Sequence, residues 1–211
     1  MSTLIELARS CGVKLPSNEE AGMRELVFKE KYGNLAEYLE GFAYTCAVLQ
    51  SAENLERAAC ELAQDCLAEG VRYIEVRFAP QLHVRESLSL EQVVRAVSDG
   101  LARAKTEHNA SAAVQSGDDI PFEYGLILCA MRSFNEDMGP YFAQMLRSLA
   151  YMPRKRVFAT ASLELARAAA HLARDVGLPV VAFDLAGEEA GYPAIDHREA
   201  YQYAHKNFLK K

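Results

Sequence analysis

The chain has 211 residues, half of them apolar, and its 23 basic against 29 acidic side chains give a formal charge of −6. That is enough apolar material for a real core in one domain, two at most, and the acidic balance argues against a nucleic-acid surface, whose affinity would rest on neutralising phosphates. No apolar run approaches the ~20 residues of a membrane helix, and the opening MSTLIELARSCG places Glu6 and Arg9 among its apolar positions, unlike a secretory signal.

In chain order, the first informative segment is a helix expected over Asn34 to Gln50. Leu35, Tyr38, Leu39 and Phe42 fall at i, i+3, i+4 and i+7, one stripe that serves either as core or as the roof of an apolar ligand pocket. A helix over Ala52 to Glu69 repeats apolar residues at Leu55, Ala58, Ala59, Leu62 and Cys66 and stops at Gly70. The first strand, Val71 to Ala79, alternates: Ile74, Val76 and Phe78 share one face, and Tyr73, Glu75 and Arg77 the other. Glu75 and Arg77 then form either a buried ion pair or part of a functional site. His83 follows the strand in the loop APQLH and is the best single histidine candidate for a site. The other histidines, His108, His171, His197 and His205, lack metal-ligand spacing and are expected at the surface or an interface.

Ser89 with Gln92 reads as a capping box for a helix near Leu90 to Thr106, whose buried stripe is Val93, Val94, Val97 and Leu101. Asn109 to Asp119, rich in Ser, Asn, Gly and Asp, is expected to be a locally flexible loop. The second strand is Phe122 to Met131, and Arg154-Lys155-Arg156 is expected to be a solvated turn. An alanine-rich helix over Ser162 to Val176 ends at Gly177, and the third strand is Pro179 to Leu185. Asp196 with Glu199 is expected to cap a last helix running to Phe208. The five cysteines, Cys11, Cys46, Cys60, Cys66 and Cys129, are odd in number, have no CxxC spacing and read as reduced core thiols of a cytoplasmic protein.

Strands separated by helices imply right-handed βαβ units and a parallel sheet. The polar face of the first strand favours a barrel over a doubly wound sheet, because a barrel interior tolerates a polar layer. Arg132 and Asp184, at the ends of the second and third strands, then lie on the rim where barrel enzymes build their sites. Nucleotide-loop, nucleophile-elbow and zinc-protease motifs are missing from the chain.

The segments TLIELARSCGVKLP, NLERAACELAQDCLAEGVRYIEVRFAPQLH, YGLILCAMR and VVAFDLAGEEAGYP, in this order, closely resemble the adenosine deaminase family, zinc-dependent amidohydrolase-type enzymes with an eight-stranded (β/α) barrel. The resemblance covers essentially all of residues 1–211. It implies a single incomplete domain of α/β class: a partial barrel of parallel strands two to four with their helices and an N-terminal helical segment. In that family the metal is held by HxHxDG on the first strand, the histidine of HAGE on the fifth and an aspartate on the last. None of these is in the chain, so the resemblance implies that zinc finds no ligand set of its own here and that the chain alone is inactive. It further implies that the Gly187 backbone amide bonds a purine ring nitrogen, that Leu35, Tyr38, Leu39 and Phe42 cover the base, and that Met131, Arg132 and Asp184 line or brace the pocket. Glu188 and Glu189 are then loop residues. The implied partner is adenosine or a related purine nucleoside, with adenine or another aminopurine as the alternative substrate. A further alternative is a non-catalytic purine-binding or assembly fragment that self-associates through open sheet edges.

Overall fold

The structure, a computed structural model, describes residues 1–208. Four short helices open the chain, α1 (Ser2–Cys11), α2 (Glu20–Leu26), α3 (Leu35–Glu40) and α4 (Phe42–Val48). Of these, α1, α2 and α4 close on a small core containing Leu4, Ile5, Leu7, Met23 and Val48. The single helix expected over Asn34 to Gln50 is therefore two. Asn34 caps α3 by accepting from the Glu37 N–H at 2.9 Å, and the run breaks at Gly41, the weakest helix former after proline.

Next come α5 (Ala52–Ala68), the strand β1 (Tyr73–Phe78) and α6 (Leu90–Asn109). The expected capping box is formed: the Ser89 N–H donates to Gln92 Oε1 at 2.8 Å, and the Gln92 N–H to Ser89 Oγ at 3.3 Å. Helices α5 and α6 approach so closely that a β-carbon on Gly100 would lie 2.1 Å from the Glu56 carbonyl oxygen.

The segment expected to be a flexible loop is folded. Ser111 caps a short helix, α7 (Ala112–Ser116), and Asn109 bridges to the Phe122 backbone through both ends of its amide, at 2.7 and 3.2 Å. Arg72 grips Asp119 with two hydrogen bonds of 2.9 and 2.7 Å and holds that carboxyl down at about 2. The polar residues that suggest mobility are spent on caps and cross-links.

The strands β2 (Glu123–Met131) and β3 (Val180–Ala186) flank α8 (Pro140–Ser148) and α9 (Arg154–His171), and α10 (Arg198–Phe208) follows. Helix α9 begins at Arg154 rather than Ser162 and continues through a π turn, Leu172–Val176, to Gly177. Arg154-Lys155-Arg156 is thus solvated as expected, but as the first turn of a helix. Positive charge there opposes the helix dipole, and acidic partners compensate: Lys155 lies 3.3 Å from Asp196 and Arg156 3.8 Å from Glu199. Those two carboxylates are consequently not the cap expected for α10. Asp196 sits inside a 3-10 turn, Ala194–His197, that leads into it.

Among the described residues the three strands form one parallel sheet in the order β1-β2-β3. Leu126, Leu128 and Ala130 of β2 are fully buried in a core shared with Val97 and Leu101 of α6 and Leu165 and Ala169 of α9. The opposite face is open: Tyr73 is 54% exposed and Val181 44%. Helices along one face of a parallel sheet, with a polar second face, are a portion of a (β/α) barrel, as expected. The expectation for the cysteines needs correction. Only Cys60 and Cys129 are buried, Cys46 and Cys66 are half-buried, and Cys11 is exposed at the end of α1; all five are free thiols.

Replacing Gly100 by alanine is expected to force α5 and α6 apart and to destabilise the chain by about 1–3 kcal/mol, read as a lowered denaturant midpoint. An unchanged midpoint would show that the helices separate without cost.

Candidate functional site

The site begins where β2 runs out. The Arg132 N–H donates to the Ala186 carbonyl at 2.8 Å, one residue before Gly187. Gly187 has φ +104°, a conformation that side-chain-bearing residues rarely adopt, and a β-carbon there would lie 3.3 Å from Met131 Cε. Met131, Arg132 and Gly187 therefore meet at the C-terminal end of the strands. The Arg132 guanidinium reaches over the following loop: Nη1 donates to the Tyr192 carbonyl at 3.1 Å and Nη2 to Glu189 Oε1 at 2.8 Å. Its Nε is buried and has no partner among the described residues.

Asp184 lies on the open face, opposite Cys129 in the register, and pairs with Arg77 from two strands away. Burial pushes the Cys129 thiol up to about 12. The anticipated Glu75–Arg77 pair is not formed. Glu75 instead accepts from the Tyr73 hydroxyl at 2.8 Å, and all three side chains of that face are exposed. The parity is as expected, but the sheet register gives Arg77 a cross-strand carboxylate that its own neighbour cannot match. Because both Arg77 and Asp184 are substantially exposed, the pair is a modest contribution to stability.

Leu35, Tyr38 and Phe42 form a separate apolar patch. They are 46%, 43% and 46% exposed, Tyr38 and Phe42 stack edge to face at 5.4 Å, and Leu39 is half-buried beside them. This patch is tied to the strand ends through the chain that follows α4: Gln50 Nε2 donates to the Leu82 carbonyl at 3.3 Å, and His83 Nδ1 lies 2.7 Å from the Leu49 carbonyl.

His83 is thus buried and engaged, not poised as a base. Burial lowers its pKa below the ordinary 6.5 against the opposing effect of the Leu49 carbonyl. His197, expected at the surface, is 1% exposed, with Nδ1 2.7 Å from Ser162 Oγ, and burial lowers its pKa too. The signal for its burial is in the sequence: His197, Ala200 and Ala204 are spaced i, i+3, i+7, and all three are buried. His108 faces the Ile120 carbonyl at 3.1 Å, and His171 pairs with Asp175 at 2.7 Å. Among the described residues no group of three His, Cys, Asp or Glu side chains comes together as a metal would require.

A parallel sheet with helices along one face and an anchored loop at its strand ends defines the class: a portion of a (β/α) barrel. The adenosine deaminase family model matches residues 2–211, and the chain belongs to that family. It is 36% identical over 208 residues to an adenosine deaminase of Mycolicibacterium vanbaalenii, covering 98% of this chain and 48% of that one. Among solved structures it resembles Arabidopsis ADAL complexed with GMP, with TM-score 0.65, 24% identity and coverage of 99% of this chain and 52% of the other. It also resembles a zinc-bound amidohydrolase of Burkholderia ambifaria, with TM-score 0.62, 16% identity and coverage of 97% and 45%. The chain spans about half the length of the bacterial relatives it matches, between 42% and 48% of each.

His83 and His197 bind a proton less readily folded than unfolded, so their contribution to stability is complete above the ordinary 6.5 and is lost as pH falls towards their lowered folded values. The melting temperature is expected to drop between about pH 7 and about pH 5.5, and less steeply in a His197→Asn variant. A flat profile across that window, or one identical in the variant, would contradict the assignment.

Proposed function

We propose that residues 1–211 supply the purine-binding half of a deaminase whose whole-protein reaction is zinc-dependent hydrolysis of adenosine to inosine and ammonia. The observation that carries this reading is Gly187. Its positive φ and the absence of a side chain let a flat ring approach the backbone beside Met131, at the strand ends where barrel enzymes bind. The exposed apolar patch of Leu35, Tyr38 and Phe42, tied to the same end of the sheet by His83 and Gln50, suits the apolar faces of a base or nucleoside. Asp184, held by Arg77, is a pocket wall rather than an acid or base.

Zinc is the metal of the reaction in this reading, supported by the zinc-bound amidohydrolase of like fold. No step through it is assigned to residues of this chain, whose donors do not assemble. In this reading the 211 residues alone leave adenosine unchanged. In a second reading, favoured by the outer edges of β1 and β3 and by exposed Tyr73 and Val181, the chain acts as an assembly fragment that self-associates through those edges. Adenine or another aminopurine is the alternative substrate, and the GMP complex of the Arabidopsis neighbour makes a nucleotide the comparison to run.

The purified chain is expected to bind inosine more tightly than inosine monophosphate and to leave adenosine unchanged with zinc supplied. Gly187→Ala is expected to weaken inosine binding roughly tenfold or more, the scale of a strained backbone. Turnover of adenosine with stoichiometric zinc would overturn the inactivity, and equal inosine affinity in Gly187→Ala would overturn the purine site. A concentration-independent monomer in size-exclusion chromatography would remove the self-association reading.

A further inference from the structure

We propose that Arg132 is the positioning residue for the loop that carries Gly187, with Glu189 as its counter-charge, and that this clamp sets how closely a purine approaches the Gly187 backbone. The proposal rests on the purine-site reading above.

Residues 187–193 contain no helix or strand, and two of them, Gly187 at φ +104° and Gly191 at φ +81°, adopt the left-handed region that glycine enters most freely. Such a segment would lose much conformational freedom on meeting a ligand unless the protein had ordered it already. Arg132 does so at three points. Its main-chain N–H fixes Ala186, Nη2 holds the Glu189 carboxylate, and Nη1 holds the Tyr192 carbonyl, at 2.8, 2.8 and 3.1 Å. The loop closes on itself inside that span through the Tyr192 N–H to the Glu189 carbonyl at 3.1 Å.

Two acceptors in different directions require the planar, divergent donors of a guanidinium, which a lysine ammonium reproduces only in part. The Arg132 side chain is 14% exposed whereas that of Glu189 is 72% exposed, so the arginine is the fixed member and the loop carboxylate is drawn to it. Both terminal nitrogens are taken up by the loop. Arg132 therefore acts on a purine through Gly187 rather than by contact. Downstream, His197 on Ser162 anchors the far end of the same connection, and Tyr192 rests edge-on against Phe158 with centroids 6.2 Å apart. Between Gly187 and Tyr192 the clamp is the guanidinium alone among the side-chain hydrogen bonds described.

Hydrogen exchange of the intact chain tests the clamp, with inosine affinity measured on the same samples. In Arg132→Met the amides of residues 187–193 are expected to exchange roughly tenfold faster, the scale of a lost charge-assisted hydrogen bond, while the amides of β2 and β3 keep their protection. Inosine affinity is expected to fall by a similar factor. Arg132→Lys should recover part of both, and Glu189→Gln should show a smaller loss of each. Unchanged loop exchange in Arg132→Met with a protected sheet would overturn the proposal. Should that variant lose protection throughout, the exposed Glu189→Gln decides, and wild-type loop exchange there would overturn it equally. A faster loop with undiminished inosine affinity would overturn the link to the purine. If the wild-type chain binds no inosine at all, the purine reading itself fails, and the exchange data still judge the clamp on the loop.

Discussion

The structure depends on the burial of one face of β2. Leu126, Leu128 and Ala130 are sealed beneath α6 and α9, and that contact orders the sheet because β2 is the central strand to which β1 and β3 both bond. A fully buried leucine contributes about 1.5–3 kcal/mol relative to leaving it in water, so this small patch outweighs the surface ion pairs of the whole sheet, each about 0–1 kcal/mol. The helices are held in turn by how near α5 comes to α6 at Gly100. The strand ends inherit their positions from this packing, and Met131, Arg132 and Gly187 stand together because β2 and β3 end together.

The elements themselves are largely legible in the sequence. Strands betrayed themselves by β-branched runs, α6 by its capping box, and the barrel class by the parity of Tyr73, Glu75 and Arg77. What local pattern could not carry is partner choice. Arg77 takes a carboxylate two strands away, Asp196 and Glu199 face the basic turn of α9, and Asn109 bridges to β2, each contact made by residues far apart in the chain. The break at Gly41 shows a different limit, since an apolar stripe continues smoothly through a position at which the helix does not.

At the site the family motifs name residues, and the side chains of those residues have partners that the motifs do not name. Of the residues expected to line the pocket, Gly187 and Met131 do meet, while Arg132 is turned to the loop and Asp184 to Arg77. The apolar patch on α3 and α4 stands apart from the sheet, and the chain that follows α4 is tied to the end of β1 by His83 and Gln50. His83 drew attention as a reactive group because it follows a strand; buried and engaged, it serves as a joint between two parts of the chain.

The polar second face of the sheet bears on the order of events during synthesis. Each strand pairs with one about fifty residues away, Tyr73 beside Glu123 and Leu126 beside Val180, so the sheet closes only after the helices between them have been made. Tyr73, Glu75, Arg77 and Asp184 keep that open face wetted. It is a hydrated trough rather than a greasy one, and water is the first thing that anything packing against it displaces.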